Sequence, residues 1–503
     1  MTGNGSAESP RGPPMAGETC PVRSAMRGRD DFVAPAPPIV DRKANRLVWL
    51  KAVLRYSALG LYTRQSYQFV GISRHSLPAL PTAPRQVLHF LRDPALIREV
   101  LVRRPDAFPK PRRFAAVMAP LIGNGIFASN GEVWKRQRRI VDQAFTTAGV
   151  RDVFPLMSGA ALELVERLGA EAANGRPIAI DREMNHYAGD IIFRTIYSER
   201  LPSEVAQPIF EAFEIFQELV FRQQAINALT GLSPTYMWSS ARSRRMARLI
   251  RRALDMPLRK RLKAIAAGDP VPDRDILSSL LVARDPVTGT RLDHEELLDQ
   301  IAVFFLAGHE TAAAALGWTL YLLAHHPEMQ RELRAEVELA TQGGPVVFAT
   351  IKRLEKTRNV FREAMRLYPP IAFYPRETVA EETLGDLTVP CDHAVSVPVW
   401  LMHRHEAYWP RPDRFEPARF SDPEARETVR QVYMPFSMGA RVCVGASFAM
   451  QEATLVLAEI LRRFVVKPDP DHVPKPVSRL TVRSENGIRL YLEPIEASGR
   501  PHA

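Results

Sequence analysis

Cysteine is scarce in this chain: Cys20, Cys391 and Cys443 are the only three in 503 residues. An odd count with no CxxC pair excludes a disulfide framework and a four-cysteine zinc site. It points to a reducing, cytoplasmic compartment. Long hydrophobic runs are missing as well. The longest uncharged apolar stretch, 311–324, falls short of the roughly 20 residues a bilayer requires. The N-terminus has no apolar core followed by a cleavage site, so no secretory signal is expected. Lysine is nearly absent, 10 beside 57 arginines, a bias that suits a GC-rich genome and a bacterial source. Acid is in modest deficit: 67 Lys and Arg against 56 Asp and Glu leave a net charge of +11. That excess permits nucleic acid, an anionic membrane surface or an acidic protein as partner, and selects none of them. No repeat recurs and no Pro- or Ser-rich linker divides the middle, so one large domain is expected rather than two.

With 46% hydrophobic and 24% charged residues the chain reads as globular. Residues 1–44 read as a disordered Pro- and Gly-rich leader and 45–498 as the domain. Just after the leader, 46–62 forms a plausible helix with Arg46, Lys51 and Arg55 on one side. It is expected to pack on the domain, with membrane contact at most peripheral. Apolar spacing of three and four predicts helices over 95–102, 131–145, 154–173, 205–224, 242–267, 293–325 and 446–464. Short alternating or β-rich pieces at 86–91, 382–389, 395–399 and 487–492 predict a small sheet component. The fold class is therefore mainly α with a minor β part. The helix at 293–325 is the best defined, with Asp293 as its cap, Glu296 completing a capping box and Pro327 beyond its end. At about 50 Å it is long enough to cross the whole domain.

The segment FSMGARVCVG, from Phe436 to Gly445, concentrates the chemistry. Cys443 stands at the start of the 446–464 helix with Arg441 nearby, and both features are expected to lower a thiol pKa. Gly439 and Gly445 bracket it, as they would if backbone had to approach something flat. A soft, accessible thiolate is a metal ligand or a nucleophile, and the residues alone leave both open. Two other patterns lead nowhere. His309 and Glu310 open like HExxH, but the fifth position is Ala313, so no zinc site forms. The GxGxxA stretch beginning at Gly123 lies outside any strand-to-helix turn of a dinucleotide fold.

The segment has the FxxGxRxCxG form that marks the cytochrome P-450 superfamily, the haem-thiolate monooxygenases, and other segments fall in that family's order. Ala307 to Thr311 (AGHET) resembles its oxygen-activating helix motif, and Glu363 with Arg366 resembles its ExxR pair. Phe415 to Phe420 (FEPARF) resembles its PERF loop, with Ala418 where glutamate is usual. Trp134 and Arg138 match a weaker signature, and the likeness covers roughly 70 to 495. The resemblance implies haem b with Cys443 as the axial iron ligand and Phe436 packed near the sulfur. It implies Arg441, Trp134, Arg138 and Arg376 at the propionates, with Gly439 and Gly445 shaping the loop. Glu363, Arg366 and Arg419 would form a buried structural network, while Glu310 and Thr311 would carry protons for O2 chemistry. The substrate would be apolar (a fatty acid, terpenoid or hydrocarbon). Phe210, Phe213, Phe216, Val220 and Phe221 form an aromatic stripe at helical spacing, a pattern that is core more often than the roof of a pocket. By the same resemblance the 60 residues after Cys443 are taken up by a last helix and sheet, so electrons are expected from a separate protein. That donor would be an acidic ferredoxin or flavodoxin docking on Lys135, Arg136 and Arg139. Nucleic acid is not expected as a partner. A peroxygenase would not need the Glu310–Thr311 pair, and a haem sensor would need neither that pair nor an apolar pocket.

Overall fold

The computed structural model describes residues 32–39, 52, 55, 59–60, 62–76, 87–230 and 240–495. Ten helices of eleven or more residues dominate these: α1 Arg112–Ile122, α2 Gly131–Ala144, α3 Thr147–Ala172, α4 Ile180–Tyr197, α5 Ser203–Thr230, α6 Ala241–Ala267, α7 His294–Ala324, α8 Pro327–Thr341, α9 Glu355–Leu367 and α10 Ala446–Arg463. Eleven short strands accompany them. Four make a sheet in the order β1 (Ile72–Ser76), β2 (Val87–Leu91), β7 (Ala394–Val397), β4 (Tyr374–Glu377), in which only β2 and β7 run parallel. Three make an antiparallel sheet, β3 (Ile178–Ala179), β11 (Arg489–Pro494) and β8 (Phe464–Pro468). Two pairs are isolated: β5 (Glu382–Leu384) with β6 (Leu387–Val389), and β9 (Pro476–Ser478) with β10 (Val482–Ser484).

The helix expected at 293–325 is α7. Asp293 accepts from the Glu296 N–H at 2.8 Å and Glu296 returns the bond to the Asp293 N–H at 3.1 Å, which completes the capping box. By length and hydropathy α7 is apolar enough to span a bilayer, yet 72% of its most apolar window is buried by protein. A helix apolar on every side belongs in a core. It packs against α1, α4, α6, α8, α9 and α10. At Gly308 the approach to α4 is tight: a Cβ there would sit 3.0 Å from Ile192. The helix runs on through Gly308 without a break, so the glycine serves packing.

Other expectations shift at their edges. The helix read from 154 begins at Thr147, where Thr146 caps it, and the strand read over 382–389 is the hairpin β5–β6. The loop at Gly123 wraps Asp299 of α7, whose carboxylate accepts from the Asn124 N–H at 2.9 Å, so its glycines serve a helix contact. Part of the segment read as leader is ordered on the domain. Phe32 stacks on His325 at 4.5 Å, and Tyr368 donates to the Pro35 carbonyl at 2.8 Å. The remainder of 1–44, and most of 46–62, lie outside the described residues.

Candidate active site

Cys443 closes a loop that Phe436 opens. The Cys443 N–H donates to the Phe436 carbonyl at 2.8 Å, the turn Gly439–Arg441 lies between, and α10 starts three residues on. Gly439 sits at φ +71°, and a Cβ there would collide with the Leu101 carbonyl oxygen, so only glycine lets the loop lie on that turn. Gly445 is under no such constraint; a Cβ there would stand 4.0 Å from the Cys443 Sγ and project over the thiol. Tyr374 of β4 clamps the loop's start. Its hydroxyl donates to the Met434 carbonyl at 2.7 Å and accepts from the Ser437 N–H at 2.9 Å. Phe436 is half-buried and packs on the main core.

Cys443 is surrounded by protein, yet its side chain keeps accessible surface, as does that of Lys110. Both therefore line an internal chamber. Burial pushes the Cys443 thiol pKa up, opposed by the Gly445 N–H, Arg138 and Lys110. This reverses the lowering expected from the helix start and Arg441, because desolvation of the thiolate outweighs those aids. Such a sulfur becomes a thiolate when a metal cation binds it.

Three cations gather at this chamber, and the nearest acid acting on them, Asp106, is paired with Lys135 rather than with any of the three. Burial, then Arg376, push Arg441 down to about 9 against the pull of Asp106, and burial pushes Arg376 down to about 10, opposed by Tyr374. Lys110 is held well below its usual range by burial and then by Arg376 and Arg441, while Cys443 opposes. Arg441 donates to the Ser129 carbonyl and to Asn130 Oδ1, both at 2.8 Å, and its guanidinium lies over the Trp134 ring at 4.1 Å. Among the described residues Arg376 donates only to the neighbouring Pro375 carbonyl, at 2.8 Å, and Lys110 to the Phe127 carbonyl at 2.5 Å. Among the described residues none of the three forms an ion pair. Arg138 differs: it pairs with Asp142 at 2.7 Å and donates to the Val442 carbonyl at 2.6 Å, so it braces the cysteine loop. Buried cations without counter-charges fit a ligand that brings two carboxylates, and a thiol at the same chamber fits its metal.

A second buried cluster is complete in itself. Glu363 and Arg366, both fully buried, meet through two bonds of 2.7 and 2.8 Å. Arg366 spends its remaining donors on the carbonyls of His403, Pro412 and Arg414 at 2.6–2.8 Å. Arg419 lies 3.4 Å from Glu363 and pairs with Glu416 at 2.7 Å. His403 carries the network onward, its ring accepting from the Met434 N–H at 2.9 Å, two residues before Phe436. Sequence spacing brings Glu363 to Arg366; the fold adds Arg419 and His403.

On α7, Thr311 donates back to the Ala307 carbonyl at 2.5 Å. Glu310 is buried and accepts from the Thr481 hydroxyl at 2.7 Å, so a loop residue holds it. Burial raises its pKa, opposed by Thr481, Arg483 and Gln217. Thr481 has no motif to announce it, lying 171 residues away between β9 and β10. Lys110 and Tyr374 are likewise invisible to spacing arguments, although Tyr374 adjoins Arg376 in an extended piece.

Two expected surfaces change character. Phe213, Phe216 and Val220 are buried, and Phe210 and Phe213 pack on His309 at 4.8 and 5.7 Å. The stripe is thus mostly the seam between α5 and α7 rather than a pocket roof. Of the docking cations, Arg136 is spent on Glu296 at 2.6 Å and Arg139 on the fully buried Asp285 at 2.5 Å. Lys135 is shared between Asp106 and Glu132 at 3.2 and 3.1 Å.

Comparison with known proteins gives one answer. The family model described as Cytochrome P-450 matches residues 83–491. Cyclooctatin synthase of Streptomyces melanosporofaciens is 31% identical over 86% of this chain and 92% of its own length. The 11-oxo-beta-amyrin 30-oxidase of Glycyrrhiza uralensis is 30% identical over 82% and 79%. Among solved structures, the cytochrome P-450DA heme domain superposes with a TM-score of 0.75 at 25% identity, covering 93% of this chain and 100% of that one. With a free thiol and a carboxylate-seeking set of cations at one chamber, and a family match over most of its length, this chain belongs to the cytochromes P-450, the haem b monooxygenases that oxidise organic substrates.

Proposed function

We propose that this enzyme inserts one oxygen atom from O2 into an apolar substrate, by hydroxylation or epoxidation, with electrons from a separate donor. One observation carries the reading: an acid and an alcohol, Glu310 and Thr311, stand side by side in the apolar middle of α7, and the acid is buried on Thr481. Haem b, bound through Cys443, supplies O2 binding and the oxidising chemistry. Lys110, Arg376 and Arg441 would hold its propionates. Trp134 supports Arg441 from beneath, and Arg138, Gly439 and Gly445 shape the loop that presents the sulfur. Glu363, Arg366 and Arg419 keep that loop in place.

The chain's further contribution is to manage protons in a chamber that excludes bulk water. Thr311 gives its hydrogen to the Ala307 carbonyl, which leaves its oxygen to accept from a water in the chamber. Glu310, its pKa raised by burial, is the acid placed to pass a proton. Thr481 fixes the carboxyl in place. A positioned group of this kind is worth about 10²–10⁴-fold in rate. Thr311→Ala should bind haem and substrate and consume reductant, yet release peroxide in place of most product; added H2O2, bringing its own protons, should restore part of the yield. Tightly coupled turnover at an unchanged rate in that variant would overturn the relay and favour a peroxygenase.

The relative named for 11-oxo-beta-amyrin makes terpenoids the first of the three apolar classes to test. A substrate bound beside the haem would shift its absorption band, so a titration with terpenoids, fatty acids and hydrocarbons ranks them. The proposed donor remains an acidic ferredoxin or flavodoxin, in a bacterial cytoplasm. Because Arg136 and Arg139 serve internal pairs, salt dependence of reduction in the unaltered protein tests that docking better than charge reversal there.

A further inference from the structure

α6 holds a large part of the protein's positive charge. Of its 27 residues ten are Arg or Lys and one, Asp255, is acidic, so it carries 10 − 1 = +9 against +11 for the whole chain. Its inner line, Ser243, Ala247, Ile250, Leu254 and Leu258, is buried against α1, α5 and α7. Its outer line is Arg242, Arg245, Leu249, Arg252, Met256, Arg259 and Lys263, all exposed, at alternating intervals of three and four. These residues form one straight stripe, roughly 30 Å long at the helical rise. Arg242, Arg245, Arg252 and Lys263 form no ion pair among the described residues, and Asp255 is consumed by Arg259 and His294 at 2.6 and 2.8 Å. Leu249 is 39% exposed and Met256 61%, both in the middle of the stripe. Beside it, Pro120 of α1 and Arg244 and Arg248 of α6 line an open groove of about 420 Å³.

We propose that this face of α6 docks on an anionic lipid bilayer. Guanidinium groups take headgroup phosphates by paired hydrogen bonds, and the groove offers a pocket to one such headgroup. Leu249 and Met256 then enter the first acyl carbons, where apolar area leaves water. A single-sign stripe interrupted by two large apolar side chains matches a surface that is charged outside and oily beneath. A helical protein partner is less well served. In a seam of this spacing both repeating positions should be apolar, whereas Arg245, Arg252 and Arg259 fill one of them throughout. Nucleic acid would use the arginines and leave Leu249 and Met256 in water.

The test is co-sedimentation of the haem-loaded full chain with vesicles of phosphatidylcholine alone or mixed with about 30% phosphatidylglycerol. Binding is expected to the mixed vesicles only, weakening with salt. Arg245→Gln with Arg252→Gln should weaken it about 25-fold, near fivefold per charge. Leu249→Ser with Met256→Ser should also weaken it, at unchanged net charge, and both variants should keep the wild-type CO spectrum. Failure of the unaltered protein to bind the mixed vesicles would overturn the proposal. So would full binding by both variants, or capture by duplex DNA or an acidic protein with no vesicle binding. Loss in the arginine variant alone would overturn the bilayer in favour of a purely electrostatic partner.

Discussion

Two clusters of buried charge adjoin the cysteine loop, and they are built on opposite plans. Glu363 and Arg366 neutralise one another, and Arg366 leaves no donor idle among its carbonyl partners. Lys110, Arg376 and Arg441 are of one sign, and among the described residues they donate only to neutral acceptors. Burying a charge is costly unless a counter-charge and hydrogen bonds offset it. The first cluster closes its account within the chain and so serves the fold, joining 363–366 to the segments at 403–419 and 434. The second is open, and its cost is recovered only when an anion arrives. A buried charge set that lacks its opposite sign reads as a binding site.

Breaking the closed cluster should have the largest effect. Glu363→Gln leaves Arg366 uncompensated and should cost about 3–5 kcal/mol, seen as a lowered melting temperature and as loss of haem content together. Cys443→Ala should spare the fold but remove the thiolate-type spectrum of the reduced CO complex. Cys391→Ala and Cys20→Ala should leave that spectrum intact, and its loss in Cys391→Ala would reassign the ligand. In the open cluster the sign reverses. Arg376→Met with Arg441→Met should not destabilise the haem-free protein, because it removes unpaired buried charge, yet should weaken haem binding by about 2 kcal/mol or more, read by haem transfer to apomyoglobin. Smallest is Thr481→Val, which removes one hydrogen bond to Glu310. It should leave haem content unchanged, cost about 1–3 kcal/mol of stability at most, and raise peroxide leakage.

The sequence carries much of this comparison, unevenly. Glu363 and Arg366 are three apart on one helix, so their meeting is a matter of local geometry. The Asp293–Glu296 capping box is local too and appears as read. Arg138 and Arg441 are visible as motif residues, but what each does depends on Asp142, Val442, Ser129 and Asn130, which tertiary packing supplies. Lys110 and Thr481 have no signal at all: each is a single side chain delivered by a loop, with nothing periodic around it. The Phe210–Phe216 stripe shows the converse, an apolar pattern that is legible but silent on whether it faces core or ligand. The thiol pKa of Cys443 reverses for a similar reason, since burial is a property of the whole fold.

The central claim is that Lys110, Arg376 and Arg441 await the two carboxylates of haem b. Its most direct test reconstitutes the haem-free protein, unaltered and as Arg376→Met with Arg441→Met, with haem b and with its dimethyl ester, whose propionates carry no charge. The account requires the ester to bind the unaltered protein at least tenfold more weakly than haem b, and the two to bind the double variant nearly alike. Equal affinity of ester and acid for the unaltered protein would show that these cations do not hold the propionates, and the account would fail.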